Sequence, residues 1–410
     1  MISIRFKNTY FFSVFLMFFC LNSCSAKNQV TNHIPDSKVM VQTQPQEIVV
    51  GANNMAAYLP LLKGKNIAIV ANQTSVIFKN NGYTHLADSL LSLGINITKV
   101  FSPEHGFRGA ADAGETVTDG FDLRTDLPIA SLYGKNKKPS SDQLNGIELI
   151  IFDIQDVGVR FYTYTSTLHY MMEACAENGI PIVVLDRPNP NGHYIDGPTL
   201  KIEHKSFLGM HPVPLVYGMT IGEYAKMING EQWLKNKATA NLTVINLKNY
   251  THQSEYSLPI KPSPNLPNDK AINLYPSLGF FEGTIINAGR GTENQFQQYG
   301  APFFPKTAFS YTPQPNDGAK FPKHLGKICY GVNLKNTKKL SSVNIAWLID
   351  AYSKTPTSEA FFGATFTAHA GTTELEIQIK NGMPAEKIRA SWQPEIEAFK
   401  KIRSKYLLYE

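Results

Sequence analysis

The sequence predicts an α/β fold: a parallel sheet with helices on both faces, followed by a smaller second subdomain. Three observations carry this. Apolar runs recur at residues 65–70, 97–101, 147–152 and 180–185, and they are continuous, as in strands covered on both faces. Between them lie helical spacings, with Leu86, Leu90 and Leu91 in residues 83–93 and Leu168, Met171, Met172 and Cys175 in residues 165–178, the latter stopped by Gly179. A proline-rich stretch at residues 258–267 then interrupts the alternation, because proline cannot sit inside a helix or a central strand. This sets one subdomain at residues 46–257 and another at residues 258–410. With 410 residues, 43% hydrophobic and 18% charged, the chain can bury a sizeable core.

The N-terminus reads as a lipoprotein signal peptide over residues 1–23. Arg5 and Lys7 open it, residues 10–21 are almost wholly apolar, and Leu21-Asn-Ser-Cys24 forms a lipobox-like end. The apolar run is short for a span of about 20 residues. Cys24 is then the lipidated first residue, and residues 24–45, polar and without periodicity, form a flexible tether. The expected location is exported and lipid-anchored to the membrane, on the periplasmic side. Loss of the leader removes Arg5 and Lys7 and no acid, taking the formal charge from +6 to +4. That bias fits an anionic substrate and gives no nucleic-acid footprint. Cys175 and Cys329 remain, neither at CxxC spacing, so no metal is indicated.

The strand ends carry the chemistry. Residues 97–101 run into Ser102-Pro-Glu104-His105-Gly-Phe-Arg108-Gly109, where the prolyl residue ends the ladder and the glycines permit a sharp turn. Asn72, Asp153, Asp156 and Asp186 follow the other apolar runs, and a parallel sheet brings those ends to one edge, where α/β folds bind ligands. Arg160, Tyr162 and Tyr164 add a cation and phenols suited to a polar ring. Capping a helix or pinning a loop is an equal role for Asp186. Farther on, Gly289-Arg290-Gly291 offers backbone amides beside a guanidinium, a cradle for a carboxylate, with Glu293 close by.

Thr220-Ile-Gly-Glu223 is a capping box, and residues 242–247 a further strand. A closing helix begins near Pro394, with Ile396, Phe399, Ile402 and Tyr406 spaced for the core. There is no GxSxG, GxxxxGK[ST], HExxH or GxGxxG, which leaves serine hydrolases, phosphate-loop ATPases, zincins and dinucleotide oxidoreductases without motif support and no cofactor called for. A carboxylate-rich edge ringed by Arg, Tyr and Asn suits acid/base chemistry on a sugar.

Taken together, the motifs Phe-Ser-Pro-Glu104-His-Gly-Phe-Arg-Gly, Ala-Gly-Glu115, Ser131-Leu-Tyr-Gly, Phe-Asp153-Ile-Gln-Asp156-Val-Gly-Val-Arg160-Phe-Tyr-Thr-Tyr164, Leu-Asp186-Arg-Pro-Asn-Pro, Gly289-Arg-Gly-Thr-Glu293 and Arg389-Ala-Ser-Trp-Gln-Pro resemble the exo-acting β-N-acetylmuramidase (NamZ-like) family. The resemblance implies a Rossmann-like parallel sheet subdomain, a smaller α+β C-terminal subdomain and a cleft between them. It also implies release of N-acetylmuramic acid (MurNAc) from the non-reducing ends of peptidoglycan-derived oligosaccharides. On that reading Glu104 is the general acid, with Glu115, Asp153 and Asp156 open for the second role. Asn72, His105, Tyr162, Tyr164, Asp186 and Glu293 contact substrate, and Arg108, Arg160 and Arg290 are candidates for its lactyl carboxylate. Two alternatives compete: a lipid-anchored peptidoglycan-binding protein without turnover, and an amidase or deacetylase on the same sugar, the latter weakened by the missing metal-ligand pattern.

Overall fold

Strands form where the sequence runs apolar and β-branched, and they join in one sheet. In the structure, a computed structural model describing residues 46–108 and 119–410, β1 is Ile67–Ala71, and β2 (Val76–Lys79) and β3 (Gly82–His85) form a hairpin. Then come β4 (Ile97–Ser102), β5 (Gly120–Phe121), β6 (Pro128–Ser131), β7 (Leu149–Asp153), β8 (Ile182–Leu185) and β9 (Leu242–Ile245). The sheet order is β5-β6-β4-β1-β7-β8-β9, parallel except for β5 at the edge. Counting its parallel strands along the chain, the order is 3-2-1-4-5-6, that of Rossmann dinucleotide-binding folds. The order reverses between β1 and β7.

Alternate residues divide the core in two, as the pleat requires. Ala68, Val70, Phe152 and Val184 join one buried cluster, and Ile67, Ile69, Ile151 and Val183 the other. The first continues into the chain beyond residue 258 through Leu274, Phe280, Tyr299, Leu348 and Trp392. That region holds a three-stranded antiparallel sheet ordered β10-β12-β11, with β10 Gln298–Ala301, β11 Ser310–Tyr311 and β12 Cys329–Asn333. The two regions therefore share apolar packing on one sheet face.

The helix Tyr164–Asn178 ends on left-handed Gly179, and Thr220 and Glu223 cap Ile221–Gly230 reciprocally, as the sequence indicates. Two boundaries differ. The helix expected over residues 83–93 is shortened to Leu86–Ser92, because Tyr83 to His85 pair with β2 and His85 then becomes the N-cap. The last helix begins after Pro384 and spans Ala385–Arg403, with Pro394 inside it. An internal proline costs about 3 kcal/mol, and burial of Trp392, Ile396 and Phe399 offsets it. Residues 1–23, the tether, Cys24 and Glu115 lie outside the described residues.

Candidate active site

The chain leaves β4 through two successive left-handed residues, His105 at φ 71° and Gly106 at φ 80°. This turn is unfavourable for histidine by roughly 1–2 kcal/mol, and it places Glu104 and His105 on the wall of a cavity of about 150 Å³. Thr163 precedes the helix Tyr164–Asn178 and does not cap it. Its Oγ1 donates instead to Glu104 Oε2 at 2.8 Å. The Tyr133 phenol, carried just past β6, also hydrogen-bonds Glu104; burial and the adjoining carboxylate push its pKa well up, so it stays a neutral donor. Two hydroxyls from different strand exits thus orient one carboxyl group.

Aromatic rings and the second region complete the cavity. Tyr275 packs edge-on against Phe161 at 5.1 Å and Phe296 at 4.8 Å between ring centroids. Tyr162 donates its hydroxyl to Pro262 O at 2.8 Å, fastening the proline-rich segment whose Ser263 and Asn265 also line the space. Opposite in sequence, the 3-10 turn Gly279–Gly283 supplies Glu282, and the Gly289-Arg290-Gly291 turn supplies Arg290, whose Nη1 donates to Glu282 Oε2 at 2.7 Å. Arg290 Nη2 donates to Gly318 O at 2.9 Å. Burial raises the Glu282 pKa, but the charges of Arg290, Lys323 and His369 and the Arg290 hydrogen bond outweigh it, holding the carboxyl below its usual range.

Of the residues singled out in the sequence, Glu104, His105, Tyr162 and Arg290 meet at this cavity. The others have different surroundings. Asp153 is fully buried in a two-pronged ion pair with Arg187, at 2.6 and 2.9 Å, at the strand-order reversal, the place a nucleotide takes in dinucleotide-binding relatives of the fold. Asp156 is buried against the Tyr217 hydroxyl and the Gly158 amide, and burial pushes its pKa up to about 6. Asn72 donates to the Tyr164 hydroxyl at 2.9 Å, and Tyr164 in turn backs Tyr162 edge-on at 4.8 Å. Asp153, Asp156, Asn72 and Tyr164 do not line the cavity.

Asp186 accepts from the Thr220 and Tyr409 hydroxyls and from the Gly222 amide, tying β8 to the start of Ile221–Gly230. Arg160, 1% exposed, gives its guanidinium to the carbonyls of Pro198, Val213, His369 and Ala370. Arg108 pairs with Asp122 at 2.7 Å and Asp88 at 3.2 Å, and is not part of the cavity lining. Neither of these arginines lines the cavity. Glu293 lies on an adjoining open pocket of about 530 Å³ with Tyr83, Lys261 and Asn316.

Tyr133, Thr163 and His369 were not selected from the sequence, whereas Tyr275 and Glu282 lie in residues 274–283, a run the sequence marks as site-like without choosing among its residues. Tyr133 stands in the Ser131-Leu-Tyr-Gly motif, and Tyr275 and Glu282 in a glycine- and aromatic-rich run at residues 274–283; only the folded contacts separate them from their neighbours. Among the described residues no group of three or more His, Cys, Asp or Glu side chains is placed to hold a metal ion.

A Rossmann-order sheet whose strand exits orient a carboxyl group over an aromatic-walled cavity defines an α/β protein suited to a polar, ring-shaped ligand. The particular group follows from comparison with known proteins. The chain belongs to the exo-β-N-acetylmuramidase NamZ family: residues 67–270 match its N-terminal domain and residues 273–409 its C-terminal domain. It is 38% identical to the peptidoglycan β-N-acetylmuramidase NamZ of Bacillus subtilis (strain 168), over 97% of this chain and 98% of that protein. Two crystal structures of DUF1343 family proteins from Bacteroides fragilis are similar. One has a TM-score of 0.82 at 46% identity, covering 89% of this chain and 99% of that one. The other has a TM-score of 0.77 at 26% identity, covering 88% and 99%.

Proposed function

We propose that the protein is an exo-acting glycoside hydrolase that releases MurNAc from the non-reducing end of peptidoglycan fragments, with Glu104 as general acid. Family membership and the name of the Bacillus subtilis relative support the substrate. The observation that carries the acid is the hydroxyl pair, Thr163 and Tyr133, holding the Glu104 carboxyl at the cavity wall. A proton donor must be held within hydrogen-bond reach of the leaving oxygen, and a carboxyl fixed at two points loses little freedom when substrate arrives. His105 and Tyr162 contribute further polar groups to the cavity.

The test is incubation with a MurNAc-GlcNAc disaccharide, following free MurNAc by mass spectrometry. Release that is lost in Glu104→Gln supports the assignment. Binding of the disaccharide without release would favour a peptidoglycan-binding protein.

The same reading places the mature chain outside the cytoplasm, anchored by a lipid on Cys24 and facing the periplasm. The basic start, the apolar run and Cys24 support it. Cys24→Ala should move the protein from the membrane to the soluble fraction and abolish labelling by a fatty-acid probe.

A further inference from the structure

Glu104 is not the only carboxylate on the cavity wall. Glu282 reaches the same space from the second region of the chain, and its side chain is 24% exposed. Tyr275 lies within electrostatic reach of both carboxylates: burial, Glu282 and then Glu104 each raise its phenol pKa, so the neutral ring stands where the two acids converge. Glu104 accepts from the Thr163 hydroxyl at 2.8 Å, and Glu282 from the Arg290 guanidinium at 2.7 Å, with Lys323 and His369 close enough to act on it. Lys323 is itself fastened, its Nζ donating to the carbonyls of Phe281, Glu282 and Thr284 at 2.7, 3.1 and 2.6 Å. A charged neighbour that holds Glu282 below its usual range keeps it ionised, the state an anion needs beside the positive charge that develops in glycoside hydrolysis.

We infer that Glu282 is the second carboxylate of the reaction, a fixed anion facing the positive charge that develops on the sugar, and that Arg290 serves it and not the lactyl group of the substrate. The inference rests on the muramidase reading above. In the step assigned, the bond between C1 and the glycosidic oxygen breaks and its electron pair stays on that oxygen, which takes the proton of Glu104. The charge left on C1 and the ring oxygen is stabilised by the Glu282 carboxylate without a covalent bond. Water then adds to C1, and its proton returns to Glu104. Asp153 is sealed against Arg187 and Asp156 against Tyr217, so neither takes this role.

The experiment compares the full-length wild type, Glu104→Gln and Glu282→Gln on MurNAc-GlcNAc and on an aryl β-N-acetylmuramide, whose phenolate departs without protonation. Loss of a general acid costs about 10²–10⁴-fold on the disaccharide and little on the aryl glycoside. Loss of the stabilising anion costs about 10²–10³-fold on both, chiefly in kcat. Wild-type-like turnover of the aryl glycoside by Glu282→Gln, or a loss confined to KM, overturns the inference while the muramidase reading stands. A wild type that releases no MurNAc fails that reading itself, and the inference with it.

Arg290 gives an independent readout should Glu282→Gln not fold. Arg290→Met removes the charge that keeps Glu282 ionised, so the acidic limb of the kcat/KM profile moves to higher pH, and Arg290→Lys restores it in part. An unmoved limb, or a loss of affinity seen only for substrates carrying the lactyl carboxylate, overturns the inference.

Discussion

Thr163 Oγ1 lies 2.8 Å from Glu104 Oε2, so the residue before the helix Tyr164–Asn178 spends its hydroxyl on the loop leaving β4 and not on its own helix. A helix start without a side-chain cap gives up about 1 kcal/mol. The gain is a carboxyl group whose direction is set by an element other than its own strand. Thr163→Val keeps the shape and removes the donor. Its kcat should fall about 5- to 10-fold, the equivalent of one hydrogen bond of about 1–1.5 kcal/mol, with Thr163→Ser near wild type; steady-state kinetics on the disaccharide checks this.

Asp153 and Arg187 form a buried pair, 0% and 3% exposed, at the strand-order reversal. Removing one partner leaves a charge without its counterion in the interior. Arg187→Met should lower the unfolding free energy by about 3–5 kcal/mol, read from denaturant melts. The folded fraction should retain turnover within a few-fold, since neither side chain lines the cavity.

Acid sensitivity should depend in part on His85. Its Nε2 contacts Asn72 O at 3.0 Å while Nδ1 accepts from the Ala87 amide at the helix start, so the neutral ring is fully used. Burial pushes its pKa down to about 4, below the 6.5 of an exposed histidine. The unfolded chain therefore takes up this proton first. The stabilising contribution is complete above pH 6.5 and is lost as pH falls through about 4. Asp156 acts oppositely: burial raises it to about 6, so its contribution is complete below its ordinary value of 3.8 and is lost as pH rises through about 6. His85→Asn, which keeps a capping oxygen, should remove on the order of 3 kcal/mol of acid destabilisation, whereas Asp156→Asn should steepen it. Unfolding free energies measured from pH 4 to 7 test both signs.

Arg160 joins the carbonyls of Pro198 and Val213 to those of His369 and Ala370, binding a turn of the second region to the first. Lysine cannot present the same planar fork. Arg160→Lys should destabilise the fold by roughly 2–3 kcal/mol, as expected when buried hydrogen bonds to a charged group are lost. It should also raise KM, because His369 sits on the cavity wall. Thermal melts and substrate titrations separate the two effects.

Much of the framework was legible along the chain. Residues 97–101 and 147–152 announced buried strands by unbroken apolar runs, Gly179 marked a helix end, and Thr220 with Glu223 marked a helix start, because each signal acts over a few residues. Glu104 stood out for the same reason, placed between Pro103 and Gly106 at a strand exit. Its partners did not. Tyr133 and Thr163 lie within motifs, but nothing local marks them as partners of Glu104, and they meet it only once β6 and the helix Tyr164–Asn178 close around the β4 exit.

The three arginines show where reading by residue type stops. Arg108, Arg160 and Arg290 all stand in polar, glycine-containing segments, and all were equal candidates for an anionic group. The folded chain pairs Arg108 with Asp88 and Asp122, spends Arg160 on four carbonyls and leaves Arg290 at the cavity beside Glu282. The same division applies to the carboxylates: Asp153, Asp156 and Asp186 share the strand ends with Glu104, yet the first three are buried in contacts of their own.

The sequence by itself determined the α/β alternation and the strand that delivers Glu104, since periodicity, proline and glycine act through local backbone geometry. Only the tertiary structure decided which charged side chains share a cavity and which neutralise one another inside the protein. That choice depends on distances between residues far apart in the chain, such as Glu104 and Glu282, and on burial, which determines whether a charge needs a partner more than it can offer one to a ligand.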